Sequence, residues 1–186
     1  MSASRTALLI MDFQAAIVER IGSEDVVAAA GRAVEAARAA GIPVIFVRVA
    51  FRPGYPEIAA TNRSFSALGQ AGDSFTADHP STQVIEALAP RADEAVTVKR
   101  RVSAFTGSDL EVLLRAAGAE TLVLAGLSTS GVVLSTVRQA ADLDYRLTVL
   151  SDACADNDPE VHRILTEKVF LNQAEVTTVD AWAKSL

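Results

Sequence analysis

The chain has 186 residues, half of them apolar and 22% charged, which suits one domain with a full hydrophobic core and is short for two. A formal net charge of −6 leaves no basic surplus to neutralise phosphates, which argues against a nucleic-acid partner. The only cysteine, Cys154, cannot form an internal disulfide and points to a reducing, cytoplasmic setting.

Ala7 to Met11 is a short apolar run closed by Asp12. It is too brief for a signal peptide or a membrane span, and no later stretch reaches spanning length without charge, so the chain reads as soluble, with no membrane partner. Glu24 to Ala40 is Ala-rich with charges at helical spacing and ends at Gly41, where a helix C-cap belongs. Pro43 to Val49 is a second apolar run. Ser81 to Ala89 has a helical pattern that Pro90 ends, and Ala95 to Val98 is the third apolar run. Ser108 to Ala117 predicts a helix stopped by Gly118. Thr121 to Ala125, Ser130 to Leu143 and Arg146 to Leu150 repeat strand, helix and strand. Pro159 to Phe170 predicts the last helix and Glu175 to Val179 the last strand.

Continuous apolar strands separated by helices imply a mostly parallel sheet covered on both faces. Right-handed crossovers make it a doubly wound, three-layer α/β/α sandwich. One stretch breaks the alternation. Residues 50–80 carry Gly54, Gly69 and Gly72 with no sustained period, as expected of a lid, a binding loop or an interface arm inserted in one domain spanning 1–186. Phe51, Arg52, Tyr55 and Glu57 open that insertion; they read equally well as loop packing and as a pocket wall with Arg52 as an anion anchor.

In such sheets the ligand crevice lies beyond the carboxyl ends of the strands, where strand order reverses. Asp12 after the first strand, Lys99 after the third and Gly126 to Val132 after the fourth all fall on that edge. A carboxylate ending an apolar strand is costly to bury without a partner or a task, and Lys99 supplies the opposite charge. The small-residue turn Gly126-Leu127-Ser128-Thr129-Ser130-Gly131 places backbone N–H groups and a helix start at the crevice, a setting that holds carboxylates or oxyanions. Arg100 and Arg101 extend Lys99 into a short basic run, which in isolation reads as a strand end meeting solvent.

Together these residues resemble a known family. Met11-Asp12-Phe13-Gln14 is similar to the Asp-x-Gln motif of the isochorismatase-like (cysteine hydrolase) superfamily. Lys99-Arg100-Arg101-Val102-Ser103-Ala104-Phe105 resembles its Lys-x-x-x-Ser-Ala-Phe segment. Gly126-x-x-Thr129-Ser130-Gly131-x-Val133-x-x-Thr136 resembles the nucleophile stretch, and Ser151-Asp152-Ala153 the Asp-Ala pair after the fifth strand. The four motifs stand in consistent order from about residue 6 to residue 180.

The resemblance implies a six-stranded parallel sheet and an Asp, Lys and Cys triad, with Asp12 and Lys99 as catalytic residues. The pattern puts the nucleophile at Val132, which offers neither thiol nor proton. Cys154 lies past the next strand and reads as a small buried apolar side chain. Covalent thiol chemistry is therefore not expected. In the isochorismatase branch, where no nucleophile is used, the resemblance implies an Asp that protonates the methylene carbon of an enol ether. Asp12 would then be the acid, Lys99 would orient the substrate or bind a carboxylate, and Arg101 would bind a second one. Gln14, Phe105, Ser128, Ser130 and Gly131 complete the expected substrate-binding set. An acid of this kind needs a raised pKa, so burial of Asp12 must outweigh Lys99. The resemblance also implies a non-proline cis peptide at Leu127–Ser128.

The nicotinamidase branch of the superfamily binds a metal through Asp-x-His and a further His. With His79 and His162 alone, and no Asp-x-His, no metal site is expected; no cofactor fingerprint appears either. His162 reads as part of a solvated helix face with Glu160 and Arg163. Homo-oligomerisation, as dimer or tetramer, follows from the family's habit. Three functional readings stand: a hydrolase of a small carboxylated molecule acting through Asp12, a catalytically inactive binding or regulatory protein, and a hydrolase or lyase using Ser130 or water with Asp12 as base.

Overall fold

A computed structural model describes residues 5–186, without the side chains of residues 69 and 70. Six strands form one sheet: β1 (Thr6–Met11), β2 (Val44–Val49), β3 (Ala95–Lys99), β4 (Thr121–Leu127), β5 (Arg146–Ala155) and β6 (Glu175–Thr177). Every pairing is parallel and the order is β3-β2-β1-β4-β5-β6. The expected α/β architecture is thus present with an entirely parallel sheet. The chain lays down β1 to β3 in one direction and then returns to the other side of β1 for β4. The switch point, where a ligand crevice belongs, falls between the carboxyl ends of β1 and β4.

Both faces of the sheet are buried, and side chains alternate between them with the two-residue period of a strand. Leu8, Ile10, Val44 and Phe46 face one core layer, packed by α2 (Glu24–Ala39) and α6 (Val179–Lys184). Ala7, Leu9, Met11, Ile45 and Val47 face the other, covered by α3 (Leu110–Ala116) and α4 (Leu134–Asp142). Burying each large aliphatic side chain contributes about 1.5–3 kcal/mol, which explains why the strands read as unbroken apolar runs. The α2 helix starts with Ser23 accepting from the Val26 N–H and gives way at Gly41, whose φ of 68° suits glycine.

Three expectations need correction, and one helix was not anticipated. Ser81 to Ala89 is not a helix: only the short 3-10 turns Pro80–Thr82 and Glu86–Leu88 form there. The Gln83 carbonyl and Ile85 N–H instead pair with Ala15 and Phe13, and Val84 bridges Gln14, which holds the segment extended against the loop after β1. A short helix, α1 (Ala15–Ile21), follows that loop unannounced, and Val179 starts a terminal helix rather than ending a strand. The region from Pro159 stays helical, but its regular part, α5 (Pro159–Ile164), passes into a wider turn over Leu165–Val169.

The 50–80 segment is long but well anchored. Phe51 stacks edge-on against Tyr55 and Phe65, with ring centroids 5.9 and 5.4 Å apart. The Tyr55 hydroxyl donates to the Gly72 carbonyl at 2.5 Å. No described helix is long and apolar enough to cross a membrane.

Candidate active site

Asp12 is the first residue beyond β1 and adopts a left-handed conformation, φ 61°, which Asp tolerates better than most residues. Its N–H donates to the Val47 carbonyl at 2.8 Å, so the turn away from the sheet starts from a fixed point. The side chain is buried. Oδ2 receives Lys99 Nζ at 2.8 Å, and Oδ1 is enclosed without a hydrogen-bond partner.

Lys99 ends β3 and is 2% exposed. Its ammonium also donates to the carbonyls of Arg101 at 3.1 Å and Val102 at 2.9 Å. With Asp12 this employs all three of its protons. The basic run therefore does not meet solvent as a block. Lys99 turns inward, Arg100 reaches the Ala50 carbonyl at 2.7 Å and Glu57 at 3.3 Å, and Arg101 donates to the Arg100 and Glu57 carbonyls at 2.6 and 2.7 Å.

Burial pushes the Asp12 carboxyl above its ordinary value, and the charge and hydrogen bond of Lys99, which pull the other way, do not cancel it. A proton on this group belongs on Oδ1, because Oδ2 is already engaged by an ammonium. The site thus holds a carboxyl with one oxygen gripped by an ammonium and the other enclosed without a partner.

Beyond β4 the Leu127–Ser128 peptide is cis, as the family pattern implies. Gly126 makes room for the approach of this turn to β1: a Cβ there would stand 3.1 Å from both the Met11 Cβ and a Val133 methyl. Ser128 then caps the turn, its Oγ accepting from the Gly131 N–H at 3.1 Å. The Val133 N–H donates to the Ser128 carbonyl at 3.2 Å and the Ser130 N–H to Asp156 at 2.7 Å. These amides, expected to face a ligand, are taken up within the protein. Thr129 is fully buried and bonds His162 Nδ1 through its hydroxyl at 2.8 Å, so His162 is a half-buried partner of the turn rather than part of a solvated face.

Asp12, Lys99, Ser128, Gly131 and Val132 together line a cavity of about 230 Å³ at the switch point. Leu127, Val49 and Val102 add apolar wall from the strand ends, while Ala16, Ile17 and Arg20 contribute one face of α1. Ser64, Phe65, Leu68 and Phe75 come from the 50–80 segment. A larger hollow of about 400 Å³ around Arg38 and Arg91 lies at the opposite end of the sheet. The small one matters because it combines a buried acid with mostly apolar walls.

The other anticipated ligand contacts are positioned differently. Gln14 spends its carboxamide on the Val49 peptide and the Thr82 carbonyl, and Phe105 packs in the core beside Tyr145. Arg101 and Ser130 are not among the cavity walls, and Arg52 pairs with Glu57 at 2.7 Å. Cys154 is buried opposite Gly126, and burial pushes its thiol up to about 12, which leaves it inert at neutral pH. Asp152 accepts from the Val179 N–H at 2.8 Å and thereby starts α6. Arg20, Phe65, Leu68 and Phe75 were not singled out from sequence; the four-residue spacing of Ala16 and Arg20 just after the Asp12 loop is the one signal that marks a shared face.

Sheet order and site together define a doubly wound α/β protein with an acid–ammonium pair at its switch point. The chain belongs to the isochorismatase family: the Isochorismatase domain model matches residues 6–181. It is 32% identical over 184 residues, 97% of this chain and 95% of the relative, to the uncharacterized isochorismatase family protein YecD of Escherichia coli O157:H7. It is 31% identical to the ureidoacrylate amidohydrolase RutB of Stutzerimonas stutzeri, over all of this chain and 84% of that enzyme. The crystal structure of a cysteine hydrolase from Pseudomonas syringae pv. phaseolicola superposes with a TM-score of 0.89 at 27% identity, covering 99% of this chain and 93% of that one.

Proposed function

We propose that this protein is a hydrolase of a small carboxylated molecule that works by general-acid catalysis from Asp12, without a covalent thiol intermediate. One observation carries the reading: Asp12 keeps a buried, partnerless Oδ1 beside an apolar cavity while Lys99 grips Oδ2. A raised pKa and a free oxygen are what a proton donor needs. Val132, at the position where relatives with the thiol chemistry would carry their cysteine, supplies only bulk to the cavity wall.

For a vinyl ether the step balances simply. The Oδ1 proton adds to the terminal methylene carbon, the electron pair of the C=C bond forming the new C–H bond. Water adds to the resulting oxocarbenium carbon and loses a proton back to the Asp12 carboxylate. The hemiketal collapses to a carbonyl compound and the free alcohol. Lys99 holds the carboxyl in one orientation throughout and stabilises the anion after transfer.

The competing reading is an inactive family member that keeps the cavity for binding. The occupied amides of Ser130 and Gly131 favour it over acyl transfer, because they are unavailable to a tetrahedral oxyanion. Turnover of isochorismate, followed as pyruvate release beside nicotinamide hydrolysis, separates the two. Pyruvate formation that collapses in Asp12→Asn supports the acid mechanism. No turnover of either compound by the unmutated protein favours the binding reading, and amide hydrolysis abolished by Ser130→Ala would replace both with hydroxyl chemistry.

A further inference from the structure

Among the described residues two cations line the cavity, Lys99 and Arg20, and only Lys99 is committed. Lys99 has all three protons engaged. Arg48 donates to the Ala77 carbonyl at 2.8 Å, and Arg52, Arg100 and Arg101 are held by Glu57 or by backbone carbonyls. Arg20 lines the cavity from the last turn of α1 and, among the described residues, has neither an ion pair nor a hydrogen bond. Asp12 is the only acid among the described residues of the cavity walls. With Asp12 ionised the lining carries one net positive charge, and with Asp12 protonated it carries two.

Position adds to charge. Ala16, Ile17 and Arg20 share one face of α1, and Asp12 lies in the short loop that leads from β1 into that helix, so both the acid and the guanidinium line the cavity from one stretch of chain. Ile17, Phe65, Leu68, Phe75 and Val132 give the same cavity much of its apolar wall. A guanidinium presents a planar fork of donors suited to a carboxylate, and its weak hydration makes the pairing cheaper than for an ammonium.

We propose that Arg20 is the anion anchor of this cavity, and that the ligand is a small monocarboxylate whose apolar body separates its carboxylate from the atom that meets Asp12. This assigns the carboxylate contact to a helix residue instead of to Lys99 or Arg101, and it deepens the reading of the cavity as the substrate site. The carboxylate it describes is remote from the reacting centre and sets specificity, not rate. The guanidinium selects acids over their neutral counterparts, and Val132 and the phenylalanines limit the width of the body.

The test is equilibrium binding of three carboxylates, cinnamate, 3-phenylpropionate and hexanoate, each beside its matching alcohol, at pH 7.5 by calorimetry or ligand-observed NMR. The unmutated protein is expected to bind at least one acid about tenfold more tightly than its alcohol. Arg20→Gln is expected to erase that preference while leaving alcohol binding within about twofold, and Arg20→Lys to restore part of it. Increasing salt is expected to weaken the acid and not the alcohol. The inference is overturned if no acid binds, if acids and alcohols bind alike, or if Arg20→Gln leaves the preference intact. Asp12→Asn distinguishes it from the hydrolase reading, since Arg20-dependent binding persists there when turnover is lost or was never present.

Discussion

The Gln14 carboxamide and the Val49 peptide exchange two hydrogen bonds, Nε2 donating to the carbonyl at 2.8 Å and Oε1 accepting from the N–H at 2.7 Å. The second Nε2 proton goes to the Thr82 carbonyl at 2.9 Å. The side chain thus acts as a piece of backbone that ties the loop after β1 to the end of β2 and to the far end of the 50–80 segment. Gln14 is 1% exposed, so none of these bonds has water as a ready substitute.

Replacing Gln14 by the near-isosteric Leu strips the Val49 groups of their partner at little cost in volume. From about 1–3 kcal/mol for each orphaned buried group, a loss of about 2–4 kcal/mol is expected. Chemical denaturation measures it, and Gln14→Glu is expected to lose at least as much, because a carboxylate facing two carbonyls cannot donate. An effect within experimental error for both variants would make the carboxamide a spectator.

Asp12 and Lys99 yield a prediction with a definite sign. The Asp12 carboxyl is raised from its ordinary value of 3.8 by burial, with Lys99 opposing, so the folded protein holds that proton more tightly than the unfolded chain. Its contribution to stability is then greatest at acid pH and is lost as pH climbs from the unfolded value through the folded one. Asp12→Asn does not titrate. Its melting temperature relative to the unmutated protein is expected to rise as pH climbs above the ordinary carboxyl value of 3.8. Lys99→Met has the opposite character: it removes the cation and leaves the Arg101 and Val102 carbonyls without a donor. It is expected to cost about 3–5 kcal/mol near neutrality, and the Asp12→Asn/Lys99→Met double variant less than Lys99→Met alone. Strict additivity would mean that the pair is not coupled.

Much of the frame was legible because apolar runs and their terminating charges survive in one dimension. Asp12 and Lys99 stand out in the sequence for the same reason that they matter in the fold: each is a charge at the carboxyl end of a strand, Asp12 just beyond the buried β1 and Lys99 as the last residue of the edge strand β3. What a donor does with its protons is not legible. Arg20 and Arg101 look alike as letters, yet one is free at the cavity and the other is spent on the Glu57 carbonyl. The helix expected over Ser81 to Ala89 failed because its pattern was short and Gln14 and Phe13 offered its backbone partners across the chain. The α1 helix escaped notice because its seven residues are fewer than two full helical repeats of apolar spacing need.

Glu57 is the clasp between the long segment and the end of β3. Its carboxylate pairs with Arg52 at 2.7 Å and Arg100 at 3.3 Å, and its carbonyl accepts from Arg101 at 2.7 Å. Glu57→Ala keeps the carbonyl contact and removes the ion pairs. Proteolytic cleavage or amide exchange within residues 52–72 is expected to accelerate, while exchange in β1 and β4 stays unchanged, because local openings draw on local contacts. Uniform acceleration across the molecule would instead assign Glu57 to global stability, and no change would deny it a fastening role.

His162 supplies a probe of the turn that carries Val132. Nδ1 lies 2.8 Å from the Thr129 hydroxyl, and burial holds the imidazole below its ordinary 6.5 despite the nearby Asp156 carboxylate, which acts the other way. The chain has only two histidines, so an NMR titration gives two separable imidazole signals. The His162 midpoint is expected to fall below 6.5. A lowered folded-state value means that the unfolded chain takes up the proton first. The stabilisation is therefore complete above the unfolded value and lost as pH falls from there through the folded one. His162→Gln is expected to flatten that part of the stability profile, in the window just below pH 6.5. Thr129→Val removes the hydroxyl and is expected to leave the titration midpoint low, since burial is its first cause, while loosening the 128–133 turn in amide exchange. A midpoint at or above 6.5 would mean that Asp156 outweighs burial, and the acid-side loss of stability would then have to come from other groups.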